Sequence, residues 1–97
     1  MLKIIRHTNG ARTIIEAVGP LRGAAVRQME QCWQEIRRNA PYEPVGLVIT
    51  QVPSVDDRGR DLLSRMYQWG VEFVAVGTET AAIVEEIKQA GRVQPTA

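Results

Sequence analysis

Val45-Gly-Leu-Val-Ile-Thr-Gln-Val52 and Val71-Glu-Phe-Val-Ala-Val76 are two apolar runs of strand length, and Gly59-Arg-Asp-Leu-Leu-Ser-Arg-Met-Tyr-Gln-Trp69 lies between them. In the middle stretch Leu62, Leu63 and Met66, joined by Tyr67, recur at helical spacing, so one face of a helix is apolar. Gly70 follows as the residue that ends it in a left-handed turn. The first run is nearly unbroken in its hydrophobicity, as expected of an interior parallel strand. A strand, a helix and a second strand in one sheet return parallel through a right-handed crossover. This unit makes the chain an α/β protein.

Toward the C-terminus, Ile83, Val84 and Ile87 mark a third helix from about Glu79 to Ala90. Thr78 is its expected N-cap, Lys88 falls in its last turn and Gly91 lies beyond it. Arg92 to Ala97 reads as a frayed tail. In the other direction, Asn39 to Pro44 holds two prolines and is a connection. Before it, Val26, Met29, Trp33 and Ile36, with Ala25 and Cys32, form the stripe of a helix over roughly 23–38.

Residues 2–18 read as a β-hairpin turning at Asn9-Gly10, a pair that accepts the positive φ angles of a two-residue turn. That turn sets Ile5 against Ile14, Ile4 against Ile15 and Lys3 against Glu16. Alternation puts Leu2, Ile4, Ile15 and Ala17 on a core face. Lys3, Ile5, His7, Arg12, Ile14 and Glu16 fall on a half-polar face that meets solvent or a partner. The expected order is β-β-α-β-α-β-α, a four-stranded mixed sheet with crossover helices gathered on one side. The expectation is a single domain over 1–97 with an ordered core of about 2–90, since a chain of 97 residues has material for one core.

Composition narrows the function. The chain is 44% hydrophobic and 24% charged, with 12 Lys plus Arg against 11 Asp plus Glu, a net charge of +1. Such a balance gives no long-range field for nucleic acid or an anionic membrane, so neither is an expected partner. One cysteine, Cys32, allows no internal disulfide and no thiolate metal site. Neither a signal peptide nor a membrane span is legible, which makes the cytoplasm the expected location.

Leu47-Val-Ile-Thr-Gln-Val-Pro-Ser-Val-Asp-Asp-Arg-Gly59, followed by Arg60-Asp-Leu-Leu63, resembles the signature of STAS domains of anti-sigma factor antagonists. The pattern is an apolar strand, a short turn, an acidic residue, a phosphoacceptor Ser or Thr, a variable residue, glycine and a Leu-rich helix. Val18-Gly-Pro-Leu21 is similar to that family's turn after its second strand, and the likeness covers roughly residues 12–88. The resemblance implies a non-enzymatic regulatory module that binds another protein, a kinase-like anti-sigma factor, through the start of this helix, and that is open to homodimerisation. It implies no cofactor.

By position, Asp56 matches the acidic residue, Gly59 the glycine and Asp57 the phosphoacceptor. A carboxylate has no hydroxyl to phosphorylate, so no switch of that kind operates at residue 57, and its single charge imitates a phosphate only in part. Arg22 stands where many relatives are acidic, and Val48 where they carry a strand Asp.

The expected partner-binding residues are Ser54, Asp56, Asp57, Arg58, Gly59 and Arg60. Helix capping alone accounts for the two aspartates, and an outward binding surface is the other reading. Arg58 and Arg60 oppose the dipole at a helix start, which favours an interaction role. Ser54 is a turn residue or a second phosphate acceptor. The alternative function is sensing of a small ligand or nucleotide, prompted by the arginines at the helix start.

Other constellations fail. A receiver domain needs an acidic pair after its first strand and a lysine after its last, where this chain has His7-Thr8 and Gly77-Thr78. Gly19-Pro-Leu-Arg-Gly23 lacks the spacing and lysine of a phosphate loop. His7 has no nucleophile placed to pair with it, so no catalytic residue is expected. Trp33 and Trp69 are both expected in the core, Trp69 with interface anchoring as its second reading.

Overall fold

The computed structural model describes residues 2–10, 12–39 and 43–92. The elements are β1 (Lys3–Asn9), β2 (Arg12–Val18), α1 (Ala24–Asn39), β3 (Val45–Thr50), α2 (Asp57–Trp69), β4 (Glu72–Val76) and α3 (Thr78–Arg92). They form a mixed four-stranded sheet in the order β1-β2-β3-β4, with β1 antiparallel to β2 and the other two pairings parallel. Both parallel crossovers step to the next strand in one direction. With a fixed hand, this places their helices on the same side.

The register sorts the strands into two unlike faces. One carries the cross-strand row Arg6, Ile15, Leu47, Phe73 and the row Ile4, Ala17, Ile49, Ala75. These rows meet Val26, Met29, Trp33 and Ile36 of α1, Leu62, Leu63 and Met66 of α2, and Val84 and Ile87 of α3 in one core. The other face carries Ile5, Glu16, Val48 and Val74 in one row and Lys3, Val18, Thr50 and Val76 in the next. Val74 and Val76 on it are about half exposed, at 53% and 49%. At its end the Arg12 and Glu72 side chains form an ion pair above Gly46, whose missing side chain leaves room for the guanidinium.

The hairpin departs from the expected register by two residues. Asn9 pairs with Arg12, Ile5 faces Glu16, Ile4 faces Ala17 and Lys3 faces Val18. The turn thus lies beyond Asn9, which belongs to β1, and Gly10 supplies the left-handed backbone at φ 65°. A slip of two preserves the alternation, so the sorting of residues onto faces holds although each named pair changes.

The helices also extend past their expected ends. α2 starts at Asp57, two residues early, because Asp56 is its N-cap. It stops where Gly70, at φ 107°, turns its N–H back to the carbonyls of Met66 and Tyr67. α3 begins at Thr78, which is helical and not its cap, and Ala81 donates to the Gly77 carbonyl at 2.9 Å. It continues through Gly91 to Arg92, so Arg92 is not in a tail; residues 93–97 of that expected tail lie outside the described residues. Half of the 39–44 connection, residues 40–42, also lies outside them.

Trp69 is the other correction. It is 52% exposed, whereas Trp33 is 2% exposed. Leu62, Leu63 and Met66 fill the core from the middle of α2, whereas Trp69, seven residues after Leu62 and on the same side of the helix, lies in its last turn with its ring against the Arg37 guanidinium of α1.

Candidate functional site

The chain leaves β3 through Gln51, whose φ of 52° is the one positive value at a non-glycine residue among those described. Turning there buries Val52, and its N–H donates to the buried hydroxyl of Thr80 on α3 at 3.0 Å. The loop then runs beside the segment that follows β2. Leu21 donates its N–H to the Ser54 carbonyl at 3.0 Å, and its own carbonyl accepts from the Asp56 N–H at 3.3 Å. Leu21 and Val55 form a short parallel bridge. The turn Val18-Gly-Pro-Leu21 is thus one wall of the site.

Asp56 joins the starts of two helices. One carboxylate oxygen accepts from the Gly59 N–H at 2.8 Å, satisfying a free donor at the head of α2. The other accepts from the Gly23 N–H at 2.9 Å, just before α1. These backbone donors, Gly23 first, hold the Asp56 carboxyl below the usual carboxylate range, and the positive charges of Arg58 and Arg22 add to the effect. Gly59 is buried, and a Cβ there would sit 2.7 Å from the Leu21 carbonyl oxygen and 2.7 Å from a Val55 methyl. The glycine is needed for close approach of loop and helix.

Six expected binding residues thus divide by role. Asp56 and Gly59 are framework. Ser54 is partly buried and gives its carbonyl to Leu21. Arg60 is turned to α3, where it bonds Glu86 at 2.7 Å. Asp57 and Arg58 are exposed, and neither forms an ion pair with another described residue.

Beside Arg58 a cleft of about 430 Å³ opens between α1 and α2, lined by Ala24, Arg27, Glu30, Asp61 and Arg65. Arg65 bridges its walls, bonding Asp61 and Glu30 at 3.2 Å each. Arg22 and Arg27 add exposed positive charge to this rim. Sequence reasoning named Arg22 only as a departure from a pattern and did not place Gly23 or Arg27 here. No local pattern announces a contact between residues 33 positions apart.

The remaining candidates lie elsewhere. His7 is on the open sheet face, 3.3 Å from Glu16. Cys32 is partly buried on α1, and burial pushes its thiol above the ordinary value although Arg6 is close. No helix of the described residues is long and apolar enough to cross a membrane. No protein-family model matches the chain, and no curated protein matches it.

Proposed function

We infer that this chain is a STAS-like regulatory module that binds another protein through the loop and helix start at residues 54–60, without phosphorylation at Asp57. The observation that supports the reading is a division of labour within four residues. Asp56 and Gly59 clamp the loop against Leu21 and Gly23, while Asp57 and Arg58 stand exposed on that clamp, without an ion pair among the described residues. A rigid frame lowers the conformational entropy lost on docking, and opposite charges on adjacent residues select a partner by its charge pattern. The resemblance in residues 47–63 suggests a kinase-like anti-sigma factor as that partner.

The test is binding of such a factor to the wild type and to an Asp57→Arg, Arg58→Glu variant, with Val74→Thr on the far face as control. The reversed pair should bind at least tenfold more weakly at low salt, about 1.4 kcal/mol, with the control unchanged. Equal affinities would discard the surface. Thermal melting with a nucleotide panel separates the ligand-sensing alternative, because a nucleotide present at 100 times its Kd adds about 2.7 kcal/mol of stability.

A further inference from the structure

A second cluster lies at the opposite end of α2, about 20 Å from Asp56 along 13 residues of helix. The Arg37 guanidinium, near the end of α1, is 3.9 Å from the ring centre of Trp69 and 4.8 Å from that of Trp33. Both distances fall within the range of cation–π attraction, which orients a guanidinium as well as holding it. Arg37 and Trp69, with Gln34 and Arg38, line a hollow of about 280 Å³.

This cluster is rich in donors and short of acceptors. Arg37 Nε and Trp33 Nε1 are both buried, and neither has a hydrogen-bond partner among the described residues. Arg6, Arg12, Arg60 and Arg65 each reach a carboxylate of this chain, but among the described residues Arg37 and Arg38 reach none. Two cations near the C-terminal end of α1 suit the helix dipole, which accounts for their positions. It does not account for an indole left 52% exposed over a guanidinium, since Trp69 contributes little to the core.

We propose that Arg37, stacked on Trp69 and flanked by Arg38, is a docking point for an acidic side chain of a partner protein. The exposed indole receives the apolar residue beside that acid. Because Nε is buried, the guanidinium held flat on the ring offers a carboxylate the edge formed by its two Nη groups, where two parallel N–H donors match the two oxygens. Tryptophan and arginine together are the residues that most often dominate protein interfaces. Nucleic acid fits less well, because a strand needs a basic track and this chain's net charge is +1. The site is separate from the surface at residues 54–60 and stands without it.

The test uses the whole chain and the acetylated, amidated hexapeptide Gly-Glu-Glu-Leu-Glu-Gly, with its glutamine counterpart as control. NMR follows the Arg37 Nε–H and the two indole N–H signals as peptide is added. The acidic peptide should move the Arg37 and Trp69 signals saturably and the glutamine peptide should not. Trp69→Ala and Arg37→Lys should each weaken binding roughly tenfold or more, the scale of one charge-assisted hydrogen bond. Trp69 is exposed, so its variant keeps the fold and the test stands even where Arg37→Lys loosens α1. Four results would overturn the proposal: no saturable shift up to millimolar peptide, equal shifts with the glutamine peptide, the same shifts from a thymidine oligonucleotide, or the same shifts from concentrating the chain alone.

Discussion

Asp56 accepts a hydrogen bond from the backbone N–H of Gly23 at 2.9 Å, so one carboxylate ties the start of α2 to the start of α1. Asp56→Ala removes this bond and the cap on Gly59 together. Asp56→Asn keeps a single amide oxygen, which can meet one of the two donors. Urea unfolding should rank wild type above Asp56→Asn and Asp56→Asn above Asp56→Ala. Asp57→Ala, which loses only a carboxylate in the first turn, should cost about 0.5 kcal/mol or less.

The same contact predicts a dependence on acid. The folded chain holds the Asp56 carboxyl below its unfolded value, so its contribution is complete above that unfolded value and disappears as pH falls through the lower, folded one. The stability difference between wild type and Asp56→Asn should therefore be constant near neutrality and narrow below about pH 4. A difference that stays constant into strong acid would mean that the charge at Asp56 is irrelevant to folding.

Gly59 tests how tightly the loop is seated. The added methyl of Gly59→Ala meets the Leu21 carbonyl, a backbone atom fixed by its bond from Asp56, and cannot be relieved by rotating a side chain. Overpacking of this kind costs about 1–3 kcal/mol. Alanine is otherwise the better helix former, so an Ala variant as stable as wild type would show that the loop yields at this point.

Phe73 and Val74 are neighbours on β4 that face opposite ways, at 8% and 53% exposure. Phe73→Ala should cost about 3–5 kcal/mol, because it opens a cavity against Tyr67 and Leu47. Val74→Thr should change stability by about 0.5 kcal/mol or less. A large loss at Val74 would indicate that the open face is covered in solution.

The strand-helix-strand unit at 45–76 was legible because its periodicities are strong and its crossover has one hand. The faces of the hairpin were legible for the same reason, while its register was not: Asn9-Gly10 and Gly10-Ala11 place glycine in the turn equally well, and alternation does not distinguish a slip of two. Asp56 as a helix cap could be read from the glycine and the apolar stripe that follow it. Its bond to Gly23 could not, nor could the meeting of Arg37 with Trp69, since both depend on how α1 and α2 pack. Trp69 was expected in the core with Trp33, but its place at the end of α2, past Leu62, Leu63 and Met66, leaves it packed on Arg37 of α1.

Thr80 offers the sharpest test of the connection between β3 and α3. Its hydroxyl is the acceptor for the Val52 N–H at 3.0 Å, just after the left-handed turn at Gln51, and its side chain is 2% exposed. Valine matches threonine in volume but has no acceptor, so Thr80→Val preserves packing and strands a buried backbone donor. The expected loss is about 1–3 kcal/mol, which in a domain of this size lowers Tm by at least roughly 4 °C. Thr80→Ser keeps the acceptor, loses one methyl group and should fall between the two. Melting curves in which valine equals threonine while serine is the weaker would leave the methyl, and not the hydroxyl, as the group that holds this loop.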